Sequence, residues 1–429
     1  MSAVILIIIF LVLLLIGMPI AFDLGVVSLA GILFMGNIPV ITVAQKMFSG
    51  LNSFVLLAVP LFILAANLMN RGKISEQLIQ VAIAMVGHLK GGLGHANVLV
   101  SMIFAGISGS SQADTAGIGK ILIPSMEENG YSREEAVGVT AASSTIGVII
   151  PPSIPMVIYG SLASASVGAL FLGGIIPGIL IGLAQMVIVY IHAKKYDYPS
   201  YERVKVREIC KMIIRYIPSL LTPLIIIGGV VFGIVTPTEA AGVACVYAMF
   251  LGCVVFKTIP LKDIPEIFIE TVTMTAQSLF ALATATALGQ LLSYYNVSKI
   301  VQQFFVSHHM NWMIFLVLVI LFLLFIGTFM DAIPAMTLFV PVLLPVALSL
   351  GITPIHFGLV VVITLAIGLI TPPYGICLLI AGSIAKMPVE KSFVAVMPYL
   401  SVIMVVLLVV AFCPDVILFI PKLIQPSWF

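Results

Sequence analysis

The sequence predicts an all-α polytopic membrane protein made of two inverted repeats, each with about five transmembrane helices and one re-entrant helical hairpin. Three observations lead there. The 429 residues are 61% hydrophobic and only 8% charged, against about 25% charged in an ordinary soluble domain. The motif Ile-Gly-x-Ile-x-Pro-Pro occurs twice within apolar sequence, from Ile146 to Pro152 and from Ile367 to Pro373. Finally, Lys and Arg are one-sided. Of the 19, only Lys46, Lys299 and Lys422 lie outside when the basic linker is cytoplasmic, with Lys120 inside a hairpin.

The first half opens with apolar runs that place spans near 2–22, 24–37 and 54–70, of the order of the roughly 20 residues a crossing needs. The opening run has no basic leader and no convincing cleavage site, so it reads as a span and not a removable signal. An amphipathic stretch, Ile74 to Lys90, leads by way of Gly87, Gly91, Gly92 and Gly94 into a polar-tipped double segment, 92–129. A span over 134–166 is interrupted at Pro151-Pro152, and another covers 168–193. The charged stretch 194–215 is the cytoplasmic linker. The second half repeats the order: spans near 216–235, 238–256 and 268–293, an amphipathic stretch from Val297 to His309, a double segment at 312–350, a span over 354–386 broken at Pro372-Pro373, and a last span near 393–420. The domain plan is thus 1–193, 194–215 and 216–429. An odd number of spans per half sets the halves in opposite orientations with both termini outside. Each double segment then enters and leaves on one face, and the two tips, near 108–114 and 327–331, meet the broken helices near the midplane.

A Pro-Pro pair removes two backbone donors and biases the residue before each proline away from the α region, so the helix breaks. Non-helical backbone at membrane depth is tolerated only when buried in protein or lining a polar cavity. Two such breaks in matching positions point to a transporter site built from discontinuous helices. Carbonyls from Thr145 to Ile150 and from Gly368 to Thr371, together with Ser and Thr hydroxyls, suit a hard monovalent cation such as sodium. The half-helix N-termini beyond Pro152 and Pro373 present positive dipole ends to an anionic substrate.

The carboxylates within or beside apolar sequence are Asp23, Asp114, Glu239, Asp331 and Asp415. A charge at the bilayer centre costs about 2.5–3.5 kcal/mol on insertion scales and normally faces a cavity or a partner. Asp114 and Asp331 sit at the hairpin tips, and each reads equally as an N-cap of the second arm or as a cation ligand. Asp23 and Glu239 follow Pro19 and Pro237 and read as helix starts, and Asp415 as interfacial. No nucleotide-binding G-x-x-x-x-G-K-[ST] run occurs, so ATP hydrolysis is not expected. His88, His95, His192, His308, His309 and His356 lack metal-ligand spacing, with His308-His309 expected in a surface turn. The five cysteines read as small buried hydrophobes. Nucleic acid is not an expected partner. An intramembrane aspartyl hydrolase using Asp114 and Asp331 is the competing reading from another class, and their flanking residues share no catalytic environment.

Four runs carry a more specific resemblance: GISGSSQADTAGIGKILIPSM (Gly106 to Met126), IIPPSIPMVIYG (Ile149 to Gly160), TPTEAAGVACVYA (Thr236 to Ala248) and IGLITPPYG (Ile367 to Gly375). They resemble the large membrane subunit of TRAP transporters, the tripartite ATP-independent periplasmic family, and the resemblance covers essentially the whole chain. It implies a non-enzymatic, multi-pass protein of the bacterial inner membrane that imports an organic acid with sodium. The acid is sialic acid-like, or a C4-dicarboxylate or sugar acid. It also implies an elevator-type transport domain moving against a scaffold, a small four-span membrane subunit, and a periplasmic substrate-binding protein that delivers the cargo. The small subunit is expected as a separate chain, because this one starts directly with the first span. About two Na+ are expected. By resemblance the first ion site draws on Ser108, Gly109, Ser111, Asp114, Thr145, Gly147, Ile150 and Pro152. The second draws on Gly327, Thr328, Asp331, Gly368, Thr371 and Pro373. Substrate is expected between them, near Gln112, Lys120, Ser153 and Tyr374. A stand-alone sodium or proton symporter of the same architecture is the alternative.

Overall fold

A computed structural model describes residues 2–308 and 310–426, and every regular element among them is helical. The first half contains α1 (Ser2–Leu15), α2 (Ile20–Met35), α3 (Ile41–Leu51), α4 (Ala58–Arg71), α5 (Ile74–Val86), α6 (Gly92–Ser108), α7 (Ser111–Glu128), α8 (Arg133–Ser144), α9 (Ile154–Ala163) and α10 (Val167–Tyr196). The second contains α11 (Val206–Val231), α12 (Pro237–Phe250), α13 (Ile264–Tyr294), α14 (Val297–Ser307), α15 (Trp312–Gly327), α16 (Ala332–Ser349), α17 (Pro354–Gly368), α18 (Ile376–Ile384), α19 (Val389–Phe412) and α20 (Pro414–Ile424). Among the described residues, 7 helices are long and apolar enough to cross a membrane, in both halves of the chain. The chain is a multi-pass membrane protein.

Local chemistry sets the helix starts. Ser132, Ser166 and Thr353 cap α8, α10 and α17 through side-chain oxygens. Glu239 starts α12 as the sequence indicates, in a capping box where Thr236 N donates to Glu239 Oε2 at 2.8 Å. Asp23 does not cap: it lies in the first turn of α2, fully buried, with neither carboxylate oxygen bonded. Asp415 is exposed and pairs with Lys422 at 3.2 Å.

Several boundaries differ from the sequence reading. The run 2–22 is split, because Gly17 at φ +88° and Pro19 end α1 and start α2. Residues 41–51, unassigned from sequence, form an amphipathic helix. Much of 194–215 is helical, leaving 197–205 as the connection; Arg207, Lys211 and Arg215 then recur at one-turn spacing along α11. Pro414 divides the last run into α19 and α20. His308 is exposed, and His309 lies outside the described residues.

Two groups of helices emerge from the packing. In one, α13 packs against α2, α3 and α4, and α12 packs on α4 and α11. Small residues allow the approach: a Cβ at Gly31 would meet Leu291 at 2.2 Å and one at Gly50 would meet Thr286 at 2.5 Å. Asn67 Nδ2 of α4 donates to Thr271 Oγ1 of α13 at 3.0 Å. The other group holds two antiparallel hairpins and the broken helices. Hairpin α6–α7 is registered by Asn97 Nδ2 beside Met126 Sδ at 3.8 Å. Hairpin α15–α16 is registered by Phe322 and Phe339, ring centroids 4.8 Å apart. Contacts are exchanged between the halves: α9 packs on α16 and α17, while α18 packs on α7 and α8. Each half-helix beyond a break thus lies against the other half's hairpin, which draws both tips to one place. At the far end of α8, buried Glu135 accepts from Tyr399 Oη at 2.5 Å and bonds His192 Nδ1 at 2.7 Å, tying the broken helix to α10 and α19.

Candidate functional site

The first tip is built around a turn that needs glycine. Gly109 has φ +62°, a left-handed conformation that glycine adopts without a Cβ penalty. Ser110 then caps α7, accepting from Ala113 N at 3.4 Å. Gly109 also meets the first Pro-Pro break: its carbonyl accepts from Ile154 N at 3.3 Å, and a Cβ on it would stand 2.9 Å from Pro152 O. The helix of the broken span ends at Ser144 and tightens into a 3₁₀ turn over Thr145–Val148 before the Pro pair.

Asp114 is fully buried one turn into α7. Its Oδ1 accepts from Ser108 Oγ, while Oδ2 has no partner, and buried Ser111 Oγ has none either. Leaving such groups unsatisfied costs about 1–3 kcal/mol each, more for a charge. Gly147 from the 3₁₀ turn closes this pair of oxygens: a Cβ there would fall 2.2 Å from Asp114 Oδ2 and 3.3 Å from Ser111 Cα. Buried Thr145 donates its hydroxyl to Ala142 O at 2.7 Å, and Ile150 is partly buried. A carboxylate oxygen and a hydroxyl, both unpartnered, beside the buried 3₁₀ turn Thr145–Val148 make an all-oxygen set of the kind hard cations take. The residues fit a small cation here.

The second tip is bonded differently. Asp331 is the N-cap of α16, with Oδ1 accepting from Ala332 N at 2.8 Å and Oδ2 from Gln112 Nε2 at 3.3 Å. Thr328 and Thr371 donate back to Phe325 O and Ile367 O at 2.7 and 2.9 Å. Thr328 O accepts from Tyr374 N at 2.9 Å. Gly327 and Gly368 touch so closely that a Cβ on Gly368 would meet Gly327 Cα and O at 2.8 Å, while Pro373 is exposed. Every oxygen-bearing side chain of this set is already engaged within the protein. The sequence left capping and cation binding open for both aspartates; the structure separates them, Asp331 as a cap and Asp114 as an incompletely satisfied carboxylate. The two do not bond each other, and Gln112 is the link between the tips.

Between the tips and the α4–α13 wall lies a cleft of about 90 Å³. Its lining includes Ser108 to Ala113, Val148, Ile154, Pro155, Asp331 to Ile333 and Leu369 on one side, with Asn67, Gln277 and Ser278 opposite. The N-terminal residues of α7, α9 and α16 all reach it, so three positive dipole ends converge where no Lys or Arg is present. The sequence reading expected the N-termini beyond both breaks; α9 contributes one, and α16 stands where α18 was expected. Of the proposed substrate residues, Gln112 lines the cleft. Ser153 is buried as the α9 cap and donates to Val148 O at 2.6 Å, Lys120 is exposed farther along α7, and Tyr374 is held by its backbone against Thr328; none of the three lines it. Asn67, Gln277 and Ser278 escaped the sequence reading. An Asn and a Gln within apolar helices were the available signal.

The comparisons agree with this architecture. Residues 7–416 match the family model of the tripartite ATP-independent periplasmic transporter, DctM component. The chain is 41% identical over 407 residues to the sialic acid TRAP transporter large permease protein SiaM of Vibrio cholerae, covering 95% of each. It is 35% identical to the C4-dicarboxylate TRAP transporter large permease protein DctM of Rhodobacter capsulatus, covering 99% of this chain and all of that one. It is also 36% identical to the sialic acid TRAP transporter permease protein SiaT of Haemophilus influenzae, covering 99% of this chain and 69% of that one. Among solved structures, the Alcanivorax borkumensis YdaH transporter shares the fold, with TM-score 0.60, 14% identity and 86% coverage of both chains. With 410 of its residues' span under one family model and relatives matched over nearly their full length, the chain belongs to the DctM family of tripartite ATP-independent periplasmic transporter components.

Proposed function

We propose that this chain is the sodium-coupled membrane subunit of an importer for an organic acid in the inner membrane, working with a small membrane subunit and a periplasmic binding protein. Relatives named for sialic acid and for C4-dicarboxylates support a cargo in that range. The observation that carries the ion assignment is the unpartnered pair, Asp114 Oδ2 and Ser111 Oγ, closed by Gly147. Na+ bound there neutralises a carboxylate that is otherwise expensive at membrane depth. Ser111 and Gln112 share the first turn of α7, so an ion that holds Ser111 also orders the amides facing the cleft. The cargo carboxylate is received by backbone N–H groups at the start of α7 and by the dipole ends of α9 and α16 beside it, without a cationic side chain. Ion and anion thus stabilise the same turn, and each binds more tightly when the other is present. The exchanged packing of α9 and α18 supports two repeats in opposite orientations, and the one-sided Lys and Arg support both termini periplasmic. The position of the cleft between the hairpin group and the α4–α13 wall supports an elevator movement of the former against the latter.

Uptake by proteoliposomes containing both membrane subunits tests this. Accumulation of acid is expected only with an inward sodium gradient and with binding protein present. Equal uptake on a proton gradient in sodium-free buffer overturns the ion assignment, and full activity without the soluble partner overturns the tripartite assembly.

A further inference from the structure

Residues 197–205, which connect the two halves, are not helical, yet they are held down. Pro199 O accepts from Gly91 N at 3.3 Å, and Tyr201 N donates to Gly87 O at 2.9 Å. Tyr198 stacks on Tyr131 with ring centroids 4.4 Å apart and bonds Ser132 Oγ at 3.0 Å. Tyr201 Oη donates to Asn129 Oδ1 at 3.0 Å. The chain therefore leaves a fixed anchor as it enters α11. Five cations follow: Arg203, Lys205, Arg207, Lys211 and Arg215. All are exposed, and among the described residues none of the five belongs to an ion pair. Arg207, Lys211 and Arg215 stand one turn apart and form a stripe on α11.

Exposed cations are ordinarily left to water, but this stripe has an apolar neighbour. Beside it run Ile214, Ile217, Leu221 and Leu224, exposed by 66, 42, 39 and 63%, a face that belongs in hydrocarbon. α11 has 26 residues, about 39 Å of helix, against a hydrocarbon core of about 30 Å. Its first turns therefore stand at headgroup level, with Arg207 and Lys211 among the phosphates and Arg215 reaching back to them along its aliphatic stem. We propose that this stripe binds anionic phospholipid headgroups, with Arg207, Lys211 and Arg215 holding the phosphates. The apolar neighbours decide for a lipid over a soluble anion or an acidic protein, because they place the cations at the membrane surface. Guanidinium groups take phosphate oxygens two at a time, and a helix fixed at its entry gives up little freedom on binding. α11 packs on α12 of one helix group and, through Pro223, against Gly106 of the other, so the lipid is held beside a helix that touches both. This goes beyond the transport reading and depends on neither cargo nor sodium.

The test is native mass spectrometry of the full-length chain in detergent, titrated with phosphatidylglycerol or with phosphatidylcholine of the same acyl chains. The wild type is set beside Arg207→Gln, Lys211→Gln, Arg215→Gln and the triple variant. The wild type is expected to bind phosphatidylglycerol at least about ten-fold more tightly than phosphatidylcholine. Each substitution should lower phosphatidylglycerol affinity about five-fold, the effect of one cation at an anionic surface, and leave phosphatidylcholine unchanged. Arg207→Lys, which keeps the charge, should retain the preference. Lys299→Gln, at an exposed cation of α14, is the control and should change neither affinity. Equal affinity for the two lipids, or a preference that survives in the triple variant, overturns the proposal. So does displacement of bound phosphatidylglycerol by millimolar inorganic phosphate, the mark of a soluble-anion site. Should the triple variant fail to insert, the single variants decide, and a preference unchanged in all three overturns the proposal.

Discussion

Gly147→Ala is the sharpest test of the cation site, because it adds one methyl where a ligand oxygen stands. The new Cβ would lie 2.2 Å from Asp114 Oδ2 and 3.0 Å from its Cγ, whereas ordinary contact begins near 3.4 Å. The carboxylate is hemmed in by Ser108 and by the buried first turn of α7, so relief means withdrawing by roughly 1 Å. At an effective dielectric constant of about 20, drawing a unit charge from about 2.4 Å to about 3.6 Å from a cation weakens the attraction by about 2 kcal/mol. That is about a 30-fold loss of sodium affinity. The assay is a sodium titration of thermal stability in nanodiscs, at constant ionic strength with KCl, and then of uptake. Gly242→Ala is the control: it lies in α12 with nothing within 4 Å of a Cβ, and it should leave the sodium midpoint unchanged. A wild-type sodium midpoint in Gly147→Ala refutes the placement of the ion against Asp114.

Five further outcomes are expected. Asp331→Ala removes a helix cap, so it should lower the melting temperature by the equivalent of about 1 kcal/mol while sodium still stabilises the protein; Asp114→Ala should abolish the sodium shift. Gly368→Ala forces a Cβ to 2.8 Å from the Gly327 backbone and should cost about 1–3 kcal/mol by overpacking, seen as a lower melting temperature in NaCl and KCl alike. Tyr399→Phe leaves one oxygen of buried Glu135 unbonded, which costs about 1–3 kcal/mol, readable by the same thermal assay. Arg71→Gln breaks an exposed pair with Glu266 at 2.6 Å and should change stability by less than about 1 kcal/mol.

How far the site could be read in advance depended on the kind of residue. Asp114 and Asp331 announced themselves because carboxylates at membrane depth are costly, and Gly147 because it precedes a Pro-Pro pair. Their different fates did not show, since both follow the same kind of polar turn. Which oxygen finds a partner depends on Gln112 of one hairpin reaching Asp331 of the other, a contact between residues far apart in the chain. Asn67 and Gln277 are single polar residues in apolar helices that the sequence reading passed over, and packing sets them across from the tips.

Local chemistry in the chain alone settled the membrane class, the two helix breaks, the hairpin tips and the start of α12 at Glu239, because hydropathy, proline geometry and capping act over a few residues. Tertiary structure settled which N-termini face the cleft and which aspartate keeps an unbonded oxygen. Those outcomes follow from α9 and α18 crossing to the opposite hairpin. Such long-range packing is chosen by the fit of whole surfaces, and no short window of residues encodes it.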